Sequence, residues 1–474
     1  MNTALRLQAE NPSWASRLLA GLGLAALLMA LGACSSLPRL VPDLAPSRQP
    51  STPMVGPGGP LTRAQSQAVL ARLAQRAPAT DIFERHLAVE EAIVGSPLTV
   101  GNATTLLQDG PATYRAMLAA IGAARQHIHL QTYIFDDDEI GQRFAQALMA
   151  KQRQGVAVRI IRDSLGTFGT PAAFFDTLKA AGVQVLAFNP VNPLQAGTAW
   201  ALNQRGHRKL LVVDGDTAFL GGVNISGVYS GGSLRTGSRA PTHAGAPWRD
   251  THLQLQGPVV AELQKLFLAS WVSQRGPALD DRQHYPPPRR AGAQVVRAIG
   301  SSPDDAFSLI YATLLSAIAS AETRVHITNA YFVPDPQLLA ALAAAAARGV
   351  DVQLILPSQT DSWLVFHAGR SYYEQLLQAG VRIHERRGVV LHAKSALIDG
   401  VWATVGSTNL DWRSFLHNHE LNAVVLGVEF GAQLAALFAA DLALSDEVRL
   451  DAWRQRPLHW RLKERFGRAW EYWL

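Results

Sequence analysis

Two stretches of this chain, 185 positions apart, carry the same spacing of chemistry-bearing side chains. His207-Arg208-Lys209-Leu210-Leu211-Val212-Val213-Asp214 is matched by His392-Ala393-Lys394-Ser395-Ala396-Leu397-Ile398-Asp399. Each reads His-x-Lys-x-x-x-x-Asp and predicts a strand with the His and Lys on one face, because strand side chains alternate. A lone His or Lys on a strand is ordinarily a half-buried structural residue, but the same pair at matching positions of a repeat is not explained that way. Lysine usage adds weight: of only six lysines, against 37 arginines, two fall in these motifs.

The repeat extends beyond the motifs. An apolar helix ending near Arg125 leads into Ile128-His129-Leu130-Gln131-Thr132-Tyr133-Ile134-Phe135, and then a helix to Arg153 leads into Gly155-Val156-Ala157-Val158-Arg159-Ile160-Ile161. The later half answers with Val325-His326-Ile327-Thr328-Asn329-Ala330-Tyr331-Phe332, an Ala-rich helix and Gly349-Val350-Asp351-Val352-Gln353-Leu354-Ile355-Leu356. Ala181-Gly182-Val183 recurs as Ala379-Gly380-Val381. Short apolar strands alternating with helices predict an α/β fold, a sheet covered on both faces, built as two pseudo-symmetric α/β/α halves. The expected division is a first domain over 61–290, opening with a helical pattern over 61–95, and a second over 291–474, with the break at the Pro/Arg stretch 286–290.

Ahead of the repeat, Arg17 precedes an apolar run from Leu18 to Leu31, followed by Gly32-Ala33-Cys34. Fourteen apolar residues fall short of the roughly 20 that a spanning helix needs and suit an export signal. Leu31-Gly32-Ala33-Cys34 resembles a bacterial lipobox, which implies cleavage after residue 33 and lipidation of Cys34; the alternative is an uncleaved anchor with an incidental cysteine. Cys34 is the sole cysteine, so an intrachain disulfide is excluded. Residues 34–60, rich in Pro, Ser and Gly, read as a tether. The expected location is the cell envelope, on a membrane-anchored lipoprotein facing the periplasm or exterior. The net charge of +6 suits phosphate-bearing partners without choosing between lipid and nucleic acid.

The duplicated motif resembles the signature of the phospholipase D superfamily, and the small-polar segments Gly221-Gly222-Val223-Asn224-Ile225-Ser226 and Gly406-Ser407-Thr408-Asn409-Leu410 extend the resemblance. It implies two phospholipase D-like domains sharing one active site. Within the superfamily the chain is most similar to bacterial cardiolipin synthases, through Asn203-Gln204-Arg205-Gly206-His207, Trp248-Arg249-Asp250-Thr251-His252, Asn409-Leu410-Asp411-Trp412-Arg413 and the tail from Arg456 to Arg465. The implied activity is phosphatidyl transfer to the hydroxyl of phosphatidylglycerol. The alternatives are hydrolysis to phosphatidic acid, phosphodiester cleavage of nucleic acid, and a non-catalytic scaffold, against which two intact motifs argue.

The chemistry suits the residues. One histidine can attack phosphorus, for which the resemblance favours His207, while the other protonates the departing alkoxide. Lys209 and Lys394 can flank the non-bridging oxygens, and Asn224, Asn409, Ser226 and Ser407 can donate further hydrogen bonds. The resemblance implies that an acid after each motif orients that motif's own histidine, a role carried to Asp250 for His207 and Glu420 for His392. Asp214 and Asp399 complete the catalytic set, but their opposite parity predicts that they close the strand and bind local backbone or the partner half. The reaction requires no cofactor or metal, and no His/Asp/Glu cluster has metal-ligand spacing; His417 and His419 read as surface or supporting groups. The expected partners are phospholipids and a membrane surface, with no nucleic acid, since binders of nucleic acid carry a denser basic stripe. In the tail, Leu458, Leu462, Phe466 and Trp470 or Trp473 form one helical stripe flanked by Arg461, Arg465 and Arg468, either interfacial or packed on its own domain.

Overall fold

The computed structural model describes residue 40 and residues 54–191, 201, 203–231, 246–279 and 284–474. Cys34, the expected signal peptide and most of the tether lie outside the described residues, as does most of the Gly/Ser/Arg-rich insertion at 231–247. Leu40–Leu474 forms one compact unit. The tether ends earlier than expected: Met54–Gly56 and Gly59–Pro60 pair antiparallel across a Pro-Gly turn, and Met54 is fully buried beside Leu98.

The helical pattern over 61–95 resolves into α1 (Arg63–Gln75), opened by a Thr62/Gln65 capping box, and α2 (Ile82–Ile93). The first half then runs β1 (Leu98–Leu107), α3 (Gly110–Ala123), β2 (His127–Thr132), α4 (Glu139–Arg153), β3 (Ala157–Asp163), α5 (Ala172–Ala180) and β4 (Gln184–Phe188). It continues with β5 (Arg205–Gly206), β6 (Leu210–Val213), β7 (Thr217–Gly221), β8 (Trp248–Arg249), β9 (His252–Gln256) and α6 (Val259–Ser273). The second half repeats the scheme with β10 (Gln294–Ser301), α7 (Leu309–Ser320), β11 (Arg324–Asn329), α8 (Pro336–Ala347) and β12 (Asp351–Pro357). Next come α9 (Trp363–Arg370), α10 (Tyr373–Gln378), β13 (Arg382–Arg386), β14 (Val390–Leu391), β15 (Lys394–Ile398) and β16 (Trp402–Gly406). The chain closes with α11 (Trp412–Leu416), β17 (Asn418–Leu426), α12 (Val428–Ala443), α13 (Leu450–Arg454) and α14 (Leu458–Arg468).

Local sequence accounts for these elements. In α4, Asp138 caps the helix by accepting from the Gly141 N–H at 2.9 Å, Glu139 opens it, and Lys151 and Arg153 close it, complementing the helix dipole. Ile140, Phe144, Ala145 and Leu148 put its apolar face on the sheet. The repeated Gly-Val sites are helix stops. At Gly155 and Gly349, with φ of 87° and 88°, the glycine turns left-handed and the following valine N–H reaches back to a carbonyl five residues earlier before the strand begins.

The strands pair in the order β4-β3-β2-β6-β7-β9-β1, then β10-β17-β16-β15-β11-β12-β13. The second series mirrors the first, so a pseudo-twofold axis passes between β1 and β10. Only three strands of each half are mutually parallel; the hairpins β6–β7 and β15–β16 are antiparallel, making the sheet mixed. One core layer draws on both halves, with Leu220, Leu253 and Trp271 meeting Leu397, Val405 and Val425. Helix α2, grouped with the first half by sequence, packs on the second, where its buried Glu90 faces Arg297 at 3.2 Å and accepts from Trp402 Nε1 at 3.1 Å.

Each motif's aspartate shapes a turn. Asp214-Gly215 and Asp399-Gly400 have positive φ at both positions and form type I′ hairpin turns, whose twist suits antiparallel strands. The Asp214 carboxylate accepts from the backbone N–H groups of Arg125, Gln126 and His127. That of Asp399 accepts from Glu322, Thr323 and Arg324 N–H groups and from the Thr323 and Thr80 hydroxyls. Asp399→Ala should therefore cost about 2–4 kcal/mol of folding stability by stranding buried donors, and Asp214→Ala less because its site is wetter. Denaturant unfolding of both variants checks the order.

Candidate active site

The two histidines are brought together by short strands that cross between halves. β5 runs parallel to the start of β17, with Arg205 opposite Asn418 and Gly206 opposite His419; the His207 N–H donates to the His419 carbonyl at 3.0 Å. Glu420, the next residue of β17, thereby lies beside the His207 ring. β8 runs parallel to β14 in the same manner, and the His392 N–H donates to the Arg249 carbonyl at 2.7 Å, which sets Asp250 beside His392. His207 Nδ1 stands 2.9 and 3.0 Å from the two Glu420 oxygens, and His392 Nδ1 stands 2.6 Å from Asp250 Oδ2.

Both expected acids are thus at the site, but with partners exchanged. Asp250 orients His392, not His207, and Glu420 orients His207, not His392. The cause is topological: each acid follows a strand segment that pairs only with the segment preceding the other half's histidine. Because both carboxylates take Nδ1, they fix the tautomer, and Nε2 is the atom of each ring left for chemistry.

His207, Lys209, Asp250, His392, Lys394 and Glu420 are all buried. Lys209 Nζ donates to the His207 carbonyl at 2.8 Å and lies 5.4 Å above the Tyr133 ring. Lys394 Nζ lies 2.9 Å from His392 Nδ1 and 5.9 Å above Tyr331. Burial pushes Lys209 down to about 7 and Lys394 down to about 8, with Glu420 and Asp250 opposing the shift. Burial, and then the lysines, push His207 down to about 4 against the pull of Glu420, and His392 well below the ordinary histidine value. Burial raises Asp250 to about 6; it would raise Glu420 too, but His207, Lys209 and Ser407 hold that carboxylate below its usual range. The empty pocket therefore holds two histidines resistant to protonation and two lysines whose positive charge burial weakens, and a bound phosphodiester anion would favour their charged forms.

The remaining expected residues divide. Ser407 Oγ donates to Glu420 at 2.5 Å and so positions the acid. Asn224 accepts from the Ile134 N–H at 3.1 Å and donates to the Tyr229 hydroxyl at 3.0 Å, and so holds a tyrosine that stands against His392. Asn409 is buried with Oδ1 unbonded. Ser226 caps the 3₁₀ turn Gly227–Tyr229. Asp214 and Asp399 stand at the far ends of their strands, roughly 20 Å along the chain from the histidines, and do not join the cluster. His417 and His419 are half-buried and contribute their carbonyls to β5 and His207.

Several participants were not singled out by sequence reasoning. Tyr133 and Tyr331 set ring edges against His207 and His392 at 5.1 and 6.0 Å, but they stand one position out of register in the two repeats (Tyr133 matches Ala330, and Tyr331 matches Ile134), so the repeat pointed to the segment and not to the residue. The Tyr229 hydroxyl lies 3.3 Å from His392 Nδ1, and Asn418 donates to Glu420 at 3.2 Å; neither has a repeat signal. Among the described residues no group of three or more His, Cys, Asp or Glu side chains is placed to hold a metal ion.

Comparison with known proteins agrees with this geometry. A family described as "Cardiolipin synthase, PLD-like domain" matches residues 117–229 and 314–442, the two repeats. The chain is 36% identical to a cardiolipin synthase of Geobacillus kaustophilus over 78% of its own length and 72% of that protein's. It is 35% identical to cardiolipin synthase 2 of Bacillus anthracis, over 76% and 68% respectively. A phosphatidylserine synthase of Haemophilus influenzae shares its fold, with a TM-score of 0.60 at 13% identity, covering 81% of this chain and 99% of that one.

The crossed pairing is testable. Glu420→Gln should remove the low-field Nδ1–H proton resonance of His207 and leave that of His392, while Asp250→Asn does the converse. Each should lower kcat by about 10²–10⁴-fold, the scale of losing tautomer control at a catalytic histidine. Gly222→Ala should resemble a weak Asp250 lesion, since a Cβ there would fall 2.1 Å from Asp250 Oδ1.

Proposed function

Because the chain belongs to the cardiolipin synthase family of phospholipase D-like proteins, we propose that it transfers a phosphatidyl group to the hydroxyl of phosphatidylglycerol through a phosphohistidine. That membership makes it a phosphatidyltransferase; the acceptor, the intermediate and the residue roles are our reading. The observation that carries it is the crossed pairing, two tautomer-fixed histidines from two motifs with a lysine beside each.

In the first step Nε2 of one histidine attacks phosphorus and a P–N bond forms. The P–O bond to the leaving alcohol breaks, and that oxygen takes the Nε2 proton of the other histidine, which the bound phosphodiester anion and its own carboxylate bring into the protonated form. In the second step the acceptor hydroxyl gives its proton to the now neutral histidine, its oxygen attacks phosphorus, and the P–N bond breaks. Lys209 and Lys394 balance charge on the non-bridging oxygens, and Glu420 and Asp250 stabilise whichever ring is cationic. When donor and acceptor are both phosphatidylglycerol, the products are cardiolipin and glycerol.

The proposal extends to location. Residues 1–33 act as a lipoprotein signal and Cys34 carries the lipid, holding the catalytic body at the membrane of the cell envelope. Among the described residues no helix is long and apolar enough to cross a membrane.

Labelled phosphatidylglycerol in mixed micelles should give cardiolipin and glycerol; phosphatidic acid alone would replace this reading with hydrolysis. His207→Ala and His392→Ala should each lower kcat/KM by more than about 10³-fold, with phosphoprotein trapped by an alkaline detergent quench lost in only one of the two. Lysines that titrate near 7 and 8 in the empty site lose their positive charge as pH rises through that range. The alkaline limb of kcat/KM should therefore fall there, while the limb of kcat lies higher because a bound anion favours the charged lysines.

A further inference from the structure

Among the described residues, large apolar side chains left in solvent are concentrated on loops next to the site's tyrosines and on the tail. Leu165 and Phe168, the latter 76% exposed, stand on the loop after β3, whose Gly166 lies against the Tyr133 backbone. Val228 is on the 3₁₀ turn that ends at Tyr229. Trp363 opens α9 two residues after Asp361, which accepts from the Tyr331 hydroxyl at 2.6 Å. Each therefore neighbours a tyrosine that touches His207 or His392. Among the described residues only Val272, of the large apolar side chains exposed, stands outside these loops and the tail.

The tail completes the rim. α14 packs on α9 through one face: Gly467 sits against the α9 backbone, the Trp460 ring lies 5.5 Å from His367, and Glu464 is buried in an ion pair with Arg456 at 2.8 Å. Its opposite face, Leu458, Leu462 and Phe466, is exposed, as are Trp470 and Trp473 beyond it. The chain end is tied to the site's own loop, with the Leu474 carbonyl accepting from the Arg413 N–H at 2.7 Å and Tyr472 against Trp412. The helix packs on its own domain through one face and leaves the other free. Its exposed charges are all positive (Arg461, Lys463, Arg465 and Arg468), since Glu464 is buried and paired.

We propose that this rim is a bilayer-docking face: α14 lies in the headgroup layer of an anionic membrane with its apolar face inserted, and the loops bearing Phe168, Val228 and Trp363 rest on the same surface. An exposed apolar helix face flanked by arginines and tryptophans is what an interfacial helix requires. Docking in this way would hold a phospholipid's phosphate near the histidines while its acyl chains stay in the bilayer, and in this respect the inference rests on the proposed phosphatidyl transfer.

The test uses the full chain with vesicles of phosphatidylcholine and phosphatidylglycerol carrying brominated acyl chains. Tryptophan emission of the wild type should be quenched, and less so in Trp470→Phe/Trp473→Phe or on vesicles lacking phosphatidylglycerol. Equal quenching of wild type and variant would overturn docking by the tail. In a second arm, Leu462→Asp/Phe466→Asp should lose about tenfold or more of its turnover on vesicles and keep its turnover on short-chain, monomeric phosphatidylglycerol. Loss on both substrates, or on neither, would overturn the docking role. A wild type that is quenched yet converts neither substrate would leave the docking face standing and remove the transferase reading.

Discussion

Everything at the centre of this protein depends on two hydrogen bonds that cross between its halves, His207 to Glu420 and His392 to Asp250. Neither half can orient its own histidine, because the acid it supplies follows a strand segment paired with the other half. The site is therefore incomplete in either repeat alone. The same requirement explains the shared core layer: crossed segments a few residues long hold register only if both sheets are fixed on one another.

Burial sets the electrostatics. Burying two lysines and two histidines depresses the basic groups, so the empty pocket holds its lysine charges weakly and an anionic phosphodiester would restore them. Binding and charge stabilisation become one event, which favours a phosphodiester over a neutral ligand of the same shape. The supporting polar groups are asymmetric. Glu420 has Ser407 and Asn418 as donors and stays ionised, whereas Asp250 bonds its own Thr251 N–H and is raised. Two motifs with identical spacing therefore present inequivalent histidines.

Much of the fold was legible because its signals are local. The Gly-Val strand starts, the strand alternation and the strand-closing aspartates depend on backbone preferences within a few residues, and they recur where the repeat recurs. Asp214 and Asp399 were rightly read as strand-closing, since parity along a strand is a local property. The hydrogen-bond partners of Asn224 were not legible, because which way a buried amide bonds depends on how distant segments pack, here the backbone of Ile134. The placement of α2 is a similar case: its sequence neighbours belong to the first half, but buried Glu90 needs Arg297 and Trp402 of the second.

The sequence by itself determined the inventory: two His-x-Lys-x-x-x-x-Asp motifs, the acids Asp250 and Glu420, a duplicated α/β architecture and a basic, tryptophan-rich tail. Each of these is written in residue type and spacing, which the chain carries without folding. Tertiary structure alone decided which acid serves which histidine, which polar groups support them, and that one face of α14 is covered while the other stays open around the site. Those are pairings between residues scores to hundreds of positions apart, and only the docking of two sheets about a common axis fixes them.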